Sequence, residues 1–245
     1  MVVVFQAIKE GKPTDDDPRQ EGEALWEERQ FIEKLLATRK RNKHVFDSLY
    51  QQNPKPAEGL MYSGFTEYSV RPATRYCVRK AYIDTADTGA DFLCVIVYDE
   101  TEIGNYLVDV IYTQKSMEYT EPTTAKMLTK HRVVECVIES NNGGRSFARA
   151  VEQQCRLMGN IFTKFKWFHQ TENKDVRINV NSAAVQNLTF MSQGWITLFP
   201  EFSSAILGYL KVGSNAHDDA PDALTGTVEK RKGRSPQDVA SLLGR

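Results

Sequence analysis

Asp84 closes the run YCVRKAYID, Tyr76 to Asp84, and Glu139 closes VVECVIE, Val133 to Glu139. Both runs carry the β-branched and aromatic residues of buried strands. Asp218, Asp219 and Asp222 stand in HDDAPDAL, where Pro221 suits the first turn of a helix. A carboxylate at the end of an apolar strand is costly unless a cation or a set of donors satisfies it. Asp219 and Asp222 share a helix face at this spacing and repel each other, and a helix dipole offsets little of that. Hard divalent ions prefer carboxylate oxygens, and two such ions about 4 Å apart need several acids between them. The chemistry expected of the set is phosphodiester hydrolysis with two Mg²⁺ or Mn²⁺ ions, one activating water for in-line attack and one stabilising the leaving 3′ oxygen. Asp84 is expected to bridge the ions, with Glu139 and Asp222 each holding one. Asp219 is expected to coordinate or to position a water, Asp218 is a further candidate ligand, and His217 is a candidate to orient water or shuttle a proton.

Each of these residues also has a plainer reading. Asp84 could cap a turn, Glu139 could pair with Arg145 or Lys130, and Asp218 or Asp219 could cap the helix that begins there. His217 could be exposed polar filler. Asp87 and Asp91 read as turn residues within reach of a metal-bound water. The plainer readings do not account for all the acids together.

Elements in a definite order are needed to gather these acids. Tyr76–Asp84, Phe92–Glu100 and Asn105–Thr113 read as strands joined by connections too short for a parallel return, so they pair antiparallel. A crossover helix follows from about Pro122 to Lys130, then the strand Val133–Glu139. The turn Asn141-Asn142-Gly143-Gly144 would expose backbone N–H groups to a phosphate. Arg145–Met158 reads as a helix, Ile161–Phe168 as a strand and Asn179–Met191 as a helix with Ala183, Ala184, Leu188 and Met191 inward. Trp195–Leu198 reads as a short strand, and Phe202–Gly208 and Asp219–Glu229 as helices. The expected fold is α/β, an RNase H-like mixed central sheet of three antiparallel strands and then parallel strands, flanked by helices. The ends of its first and fourth strands lie side by side.

Residues 1–75 read as a lead-in. It comprises a polar arm (Lys12 to Glu23), a helix (Leu25 to Lys40), a shorter helix (Asn42 to Gln52) stopped by Asn53-Pro54-Lys55-Pro56, and an irregular linker. The fold domain is expected over 76–230 and a basic tail over 231–245, with a short helix near Pro236 or a frayed end.

A chain of 245 residues can bury one sizeable core plus an appendage. Its 41% hydrophobic and 26% charged content excludes a disordered class. No apolar run approaches the ~18 residues of a spanning helix, and MVVVFQAIKEGK does not read as a secretory signal. Cys77, Cys94, Cys136 and Cys155 lack CxxC spacing and read as reduced, buried thiols of a cytosolic protein. A net charge of −1 points to weak unassisted affinity for DNA rather than to a basic binding domain.

The passages AYIDTADTGADF, VVECVIESNNGG and AHDDAPDALTGTV together resemble the nuclease domain of tailed-phage terminase large subunits. That domain belongs to the RNase H-like, resolvase-like nucleases. The stretch EGEALWEERQFIEKLLATRKRNKHVFDSLYQQNP resembles the end of the terminase ATPase domain. The resemblance implies that Asp84, Glu139 and Asp222 are the catalytic acids and Asp219 the extra position one helical turn earlier. It also implies cutting of concatemeric viral DNA during packaging in the cytoplasm of a bacterial host, with an ATPase motor, a small subunit and a portal as partners. No GxxxxGK[ST] occurs, so ATP hydrolysis by this chain is not expected. The expected explanations are a chain cut near the motor's end or a split gene product.

Lys164 and Lys166 in FTKFKWF, with Lys174 and Arg177 in NKDVRINV, are the candidate contacts to DNA phosphates; a solvated face is the rival reading. Arg145, Arg149 and Arg156 read as ordinary surface charge. Trp167 and Phe168 read as core and Trp26 as a domain contact. The leading expectation is a double-stranded-DNA endonuclease. Its rivals are an inactive RNase H-like binding or assembly module and a junction resolvase or transposase-type activity.

Overall fold

A computed structural model describes residues 5–29, 31–41, 46–47, 49–52, 59–85, 91–140, 144–213 and 215–231. Asp87, the Asn141 to Gly143 turn, most of the second lead-in helix, its Asn53 to Pro56 stop and the tail after Arg231 lie outside these residues. The chain divides into two compact units, Met1–Leu60 and Met61–Arg245.

The first unit has a small core of Ala7, Ile8, Ala24, Leu35 and Phe46. Gln51 ties it together, its amide accepting from the Ile8 N–H (2.9 Å) and donating to the Ile8 carbonyl (2.8 Å). Helix α1 is Ile32–Arg41, shorter than expected. Trp26 lies outside it, exposed, with the Arg29 guanidinium 4.7 Å from its ring centroid.

The second unit is built on a seven-stranded sheet. Its strands are β1 (Thr66–Tyr68), β2 (Cys77–Asp84), β3 (Leu93–Thr101), β4 (Asn105–Thr113), β5 (Glu135–Glu139), β6 (Lys164–Phe168) and β7 (Thr189–Ser192). Across the sheet they run β1-β7-β4-β3-β2-β5-β6. β3 is antiparallel to β2 and β4, and every other pairing is parallel. The five strands β4-β3-β2-β5-β6 form the mixed sheet of an RNase H-like fold. β3 is buried along its whole length, which explains its unbroken run LCVIVY.

Helices α2 (Met117–Lys130) and α3 (Gly144–Leu157) cover one face, over Ala81, Ile83, Val95, Val97 and Ile138. Helices α4 (Lys174–Leu188), α5 (Trp195–Leu198), α6 (Pro200–Leu207) and α7 (Asp219–Glu229) cover the other, over Tyr82, Cys94, Ile96, Tyr98 and Val137. Among the described residues no helix is long and apolar enough to cross a membrane.

Several elements differ from the sequence reading for identifiable reasons. α2 begins five residues before Pro122, at Met117, and carries that proline inside. The long helix expected through Met191 ends at Leu188, where Thr189 turns extended (φ −105°, ψ 126°). β-branched and aromatic residues then favour a strand, and Phe190 stacks on its cross-strand neighbour Tyr106 at 4.5 Å. Trp195–Leu198, expected as a strand, is a helical turn started by Gly194 at φ 75°. Residues 61–75, assigned to the lead-in by sequence, give β1 to the sheet and buried Met61 and Tyr62 to the core. Cys77 is exposed, whereas Cys94, Cys136 and Cys155 are buried as expected.

Candidate metal centre

Asp84, Glu139 and Asp222 converge. Each offers a carboxylate oxygen, and these atoms lie within 4.8 Å of one another, with all three residues buried. The topology accounts for the meeting. Ile83 of β2 stands beside Ile138 of β5 in parallel register, so the next residues on both strands, Asp84 and Glu139, end side by side. α7 lies over β2 and brings the acids of its first turn to the same end. Gly226 permits this approach, since a Cβ there would stand 2.0 Å from the Tyr82 ring. Gly144 does the same for α3, where a Cβ would stand 2.3 Å from the Glu139 carbonyl oxygen.

Two cations from α4 neutralise part of the cluster. Lys174 Nζ is 3.1 Å from Asp84, 3.5 Å from Asp219, 3.5 Å from Asp222 and 3.7 Å from Asp218. Arg177 is buried, and its Nε donates to Asp222 Oδ1 at 2.8 Å. Its Nη2 donates to Glu139 Oε1 at 2.9 Å and also reaches Asp222 Oδ1. The Tyr82 hydroxyl is a further close donor to Glu139 Oε1. Asp219 accepts the Phe92 N–H at 3.1 Å. Asp218 takes the N-cap position of α7, yet its side chain makes no cap hydrogen bond. His217 is exposed, its ring edge-on to Phe92 with centroids 4.9 Å apart.

Burial pushes the Asp84 carboxyl well above its ordinary value, against the opposing pull of Lys174. Burial likewise raises Asp222 to about 6, with Arg177 opposing. Burial works against a charged Lys174, but the carboxylates around it, Asp84 foremost, outweigh burial and hold the ammonium more firmly protonated than usual. Acids packed this closely lack positive charge. Asp222 Oδ2 is buried and accepts no hydrogen bond among the described residues, with Lys174 Nζ 3.5 Å away. Hard oxygen donors, mutual closeness and an unpartnered carboxylate oxygen all suit a divalent cation such as Mg²⁺ or Mn²⁺.

The fold therefore gathers the acids that the sequence singles out. The ion pairs considered for Glu139, to Arg145 or Lys130, give way to one with Arg177. Arg177 itself needs correction, because a side chain enclosed among acids cannot reach a DNA phosphate. Lys174 likewise turns to the carboxylates. A signal for both lay in α4. Counting backward from Leu188 and Ala184 at helical spacing gives Asn181, Arg177 and Lys174, the inward stripe.

Lys164 and Lys166 are exposed on the edge strand β6, and Lys166 pairs with Glu135. Glu139 stands in register with Phe168, so Lys164 and Lys166 lie on the sheet face that carries the acids. Trp167, expected in the core, is 45% exposed on the opposite face of that strand, while Phe168 packs against the core.

No family model and no curated protein matches the chain. Among solved structures it is similar to a human cytomegalovirus terminase nuclease domain, Mn soaked and inhibitor bound (TM-score 0.49, 15% identity, covering 67% of this chain and 90% of that one). It is also similar to the P22 large terminase nuclease domain (0.48, 14%, 73% and 98%). A third is T. thermophilus RuvC in complex with a Holliday junction substrate (0.33, 13%, 64% and 96%).

Proposed function

We propose that the chain is a metal-dependent endonuclease acting on double-stranded DNA. The observation that carries this reading is the meeting of three buried carboxylates from β2, β5 and α7, with oxygens within 4.8 Å. Asp84, Glu139 and Asp222 would hold the metal, with two ions as the working number and Asp219 and Asp218 as outer candidates. Bound divalent ions supply Lewis-acid activation of water and neutralisation of the leaving oxygen.

The chain's own residues do the rest. Asp84 ends the strand that pairs with β5 and lies under α7, so it suits a shared ligand. Lys174, whose side chain is partly exposed, would be free to turn out of the cluster if a divalent ion took its place among the acids. From there its ammonium can meet the phosphate backbone. Lys164 and Lys166 guide that backbone along the β6 edge without reading sequence. His217, packed edge-on against Phe92, orients water or passes a proton at the rim.

The motifs that resemble terminase nucleases suggest concatemeric viral DNA as substrate. They suggest an ATPase motor, a small subunit and a portal as partners, in the cytoplasm of a bacterial host. Supercoiled plasmid incubated with the protein and Mn²⁺ should be nicked and then linearised, and Asp84→Ala should end this without changing the circular dichroism spectrum. Intact plasmid across Mg²⁺ and Mn²⁺ series would instead favour an inactive RNase H-like binding module.

A further inference from the structure

Arg177 and Lys174 sit one helical turn apart on α4, yet their situations differ. Lys174 enters the cluster with part of its side chain in solvent. Arg177 has none exposed, and its guanidinium is held on two sides by Asp222 and Glu139. Its Nη1 lies 3.6 Å from Glu229. A buried arginine persists only where acids compensate it, and buried acids only where a cation does. The guanidinium occupies one oxygen of each partner, Glu139 Oε1 and Asp222 Oδ1. Asp222 Oδ2 is left without a hydrogen bond among the described residues.

We propose that Arg177 is a permanent internal counter-ion of the metal centre: it keeps Glu139 and Asp222 converged when no divalent ion is bound, and its charge holds down the affinity for the ion that enters. This rests on the metal-site reading above. It makes Arg177 a positioning residue, acting through the acids and touching no substrate. Charge decides the sign of the effect. Asp84, Glu139 and Asp222 together carry three negative charges when ionised, and Arg177 permanently cancels one of them. A divalent ion held by these acids would take the place of Lys174 and share the acids with Arg177, and like charges close together in a buried site repel strongly. Loss of the guanidinium therefore weakens the metal-free fold and tightens metal binding.

The test uses the whole chain at pH 8 without DNA and compares wild type with Arg177→Met, which removes the charge, and Arg177→Lys, which keeps it. Free Mn²⁺ is followed by electron paramagnetic resonance, and thermal melts are recorded across a buffered Mn²⁺ series. Arg177→Met should bind Mn²⁺ at least ~10-fold more tightly than wild type, as expected from removing a neighbouring buried cation. It should also melt lower without metal and gain more from Mn²⁺. Arg177→Lys should return the affinity to within ~3-fold of wild type, since its charge stays. A purely structural arginine would lower the melt without tightening Mn²⁺ binding, and that result overturns the proposal. If Arg177→Met folds only with metal, the dependence of its melt on free Mn²⁺ yields the same affinity by linkage and decides the matter equally. Wild type that binds no Mn²⁺ at all would instead bring down the metal-site reading beneath it.

Discussion

Asp84 and Asp222 each bear a proton more readily in the folded chain than in the unfolded one, because burial penalises their charge. The consequence for stability has a definite sign. Asp222 rises from 3.8 to about 6, so its protonated form favours folding and the metal-free protein is most stable with respect to this group below pH ~4. That contribution falls away as pH climbs to about 6, by up to ~3 kcal/mol for this one group. Asp84 acts in the same direction. A divalent ion needs both carboxylates ionised, so it competes with protons at low pH and relieves repulsion at high pH. The rise in melting temperature on adding Mn²⁺ should accordingly be small at pH 5 and large at pH 7. A rise equal at both values would show that the ion binds elsewhere. Asp84→Asn should remove cleavage by at least ~10³-fold while leaving the metal-free melt unchanged or higher, since it deletes a repelling charge and keeps the volume. Cleavage surviving that substitution would remove Asp84 from the chemistry. Asp84 and Glu139 were legible in the sequence because a charge at the end of an apolar run is conspicuous, and Asp222 because it shares a helix face with Asp219 in HDDAPDAL. Arg177 was harder to read: its immediate neighbours in NKDVRINV are mixed, and the stripe that runs back from Leu188 and Ala184 reaches it only once the helix is extended to its actual start at Lys174.

Helix α7 carries the third acid, and its seat on β2 is set by one missing side chain. A Cβ on Gly226 would fall 2.0 to 2.3 Å from atoms of the Tyr82 ring and 2.4 Å from its hydroxyl oxygen. Tyr82 is fully buried and its hydroxyl is held by Glu139, so the ring has nowhere to retreat. Gly226→Ala should push the helix off the strand, costing ~1–3 kcal/mol by overpacking and moving Asp222 away from Asp84. Paired denaturation and Mn²⁺-binding measurements should show both losses together. A variant as stable as wild type would mean that the helix has slack. β6 offers a second test at this scale. If Lys164 and Lys166 meet phosphates, the double substitution to Gln should lower the slope of log affinity against log salt by roughly 0.9 for each phosphate no longer neutralised, with no change in sequence preference. An unchanged slope would return them to ordinary surface charge. Strands β2 to β5 were readable as largely apolar runs, and β6 as an alternation of lysines with aromatics in KFKWF. β1 and β7 were not, because three- and four-residue strands carry too little periodicity. β7 also follows α4 without a loop, so its apolar residues extend the helical stripe.

The two compact units divide the molecule between Leu60 and Met61, and residues 61–75 belong structurally with the sheet. Tyr62 is 1% exposed among the residues of the main core, and Phe65 packs against the same cluster with its ring 5.4 Å from that of Tyr62 and 6.1 Å from that of Trp195. β1 pairs in parallel with β7, and the Tyr68 hydroxyl donates to the Leu107 carbonyl. Removing this segment would strip an edge strand and two large aromatic side chains from one face of the sheet. Burying a large side chain of this kind is worth ~1.5–3 kcal/mol, and whole domains are stable by only ~5–15 kcal/mol. A chain starting at Met61 should therefore fold cooperatively, bind Mn²⁺ as the full chain does and nick plasmid. One starting at Tyr76 should melt far lower or fail to fold, although it keeps every acid of the site. Equal melts for the two truncations would mean that Tyr62, Phe65 and β1 contribute nothing to the core. Failure of the Met61 chain alone would show that the first unit is needed for folding. The acids converge only because the whole sheet, including strands that carry no chemistry, holds α4 and α7 against β2 and β5.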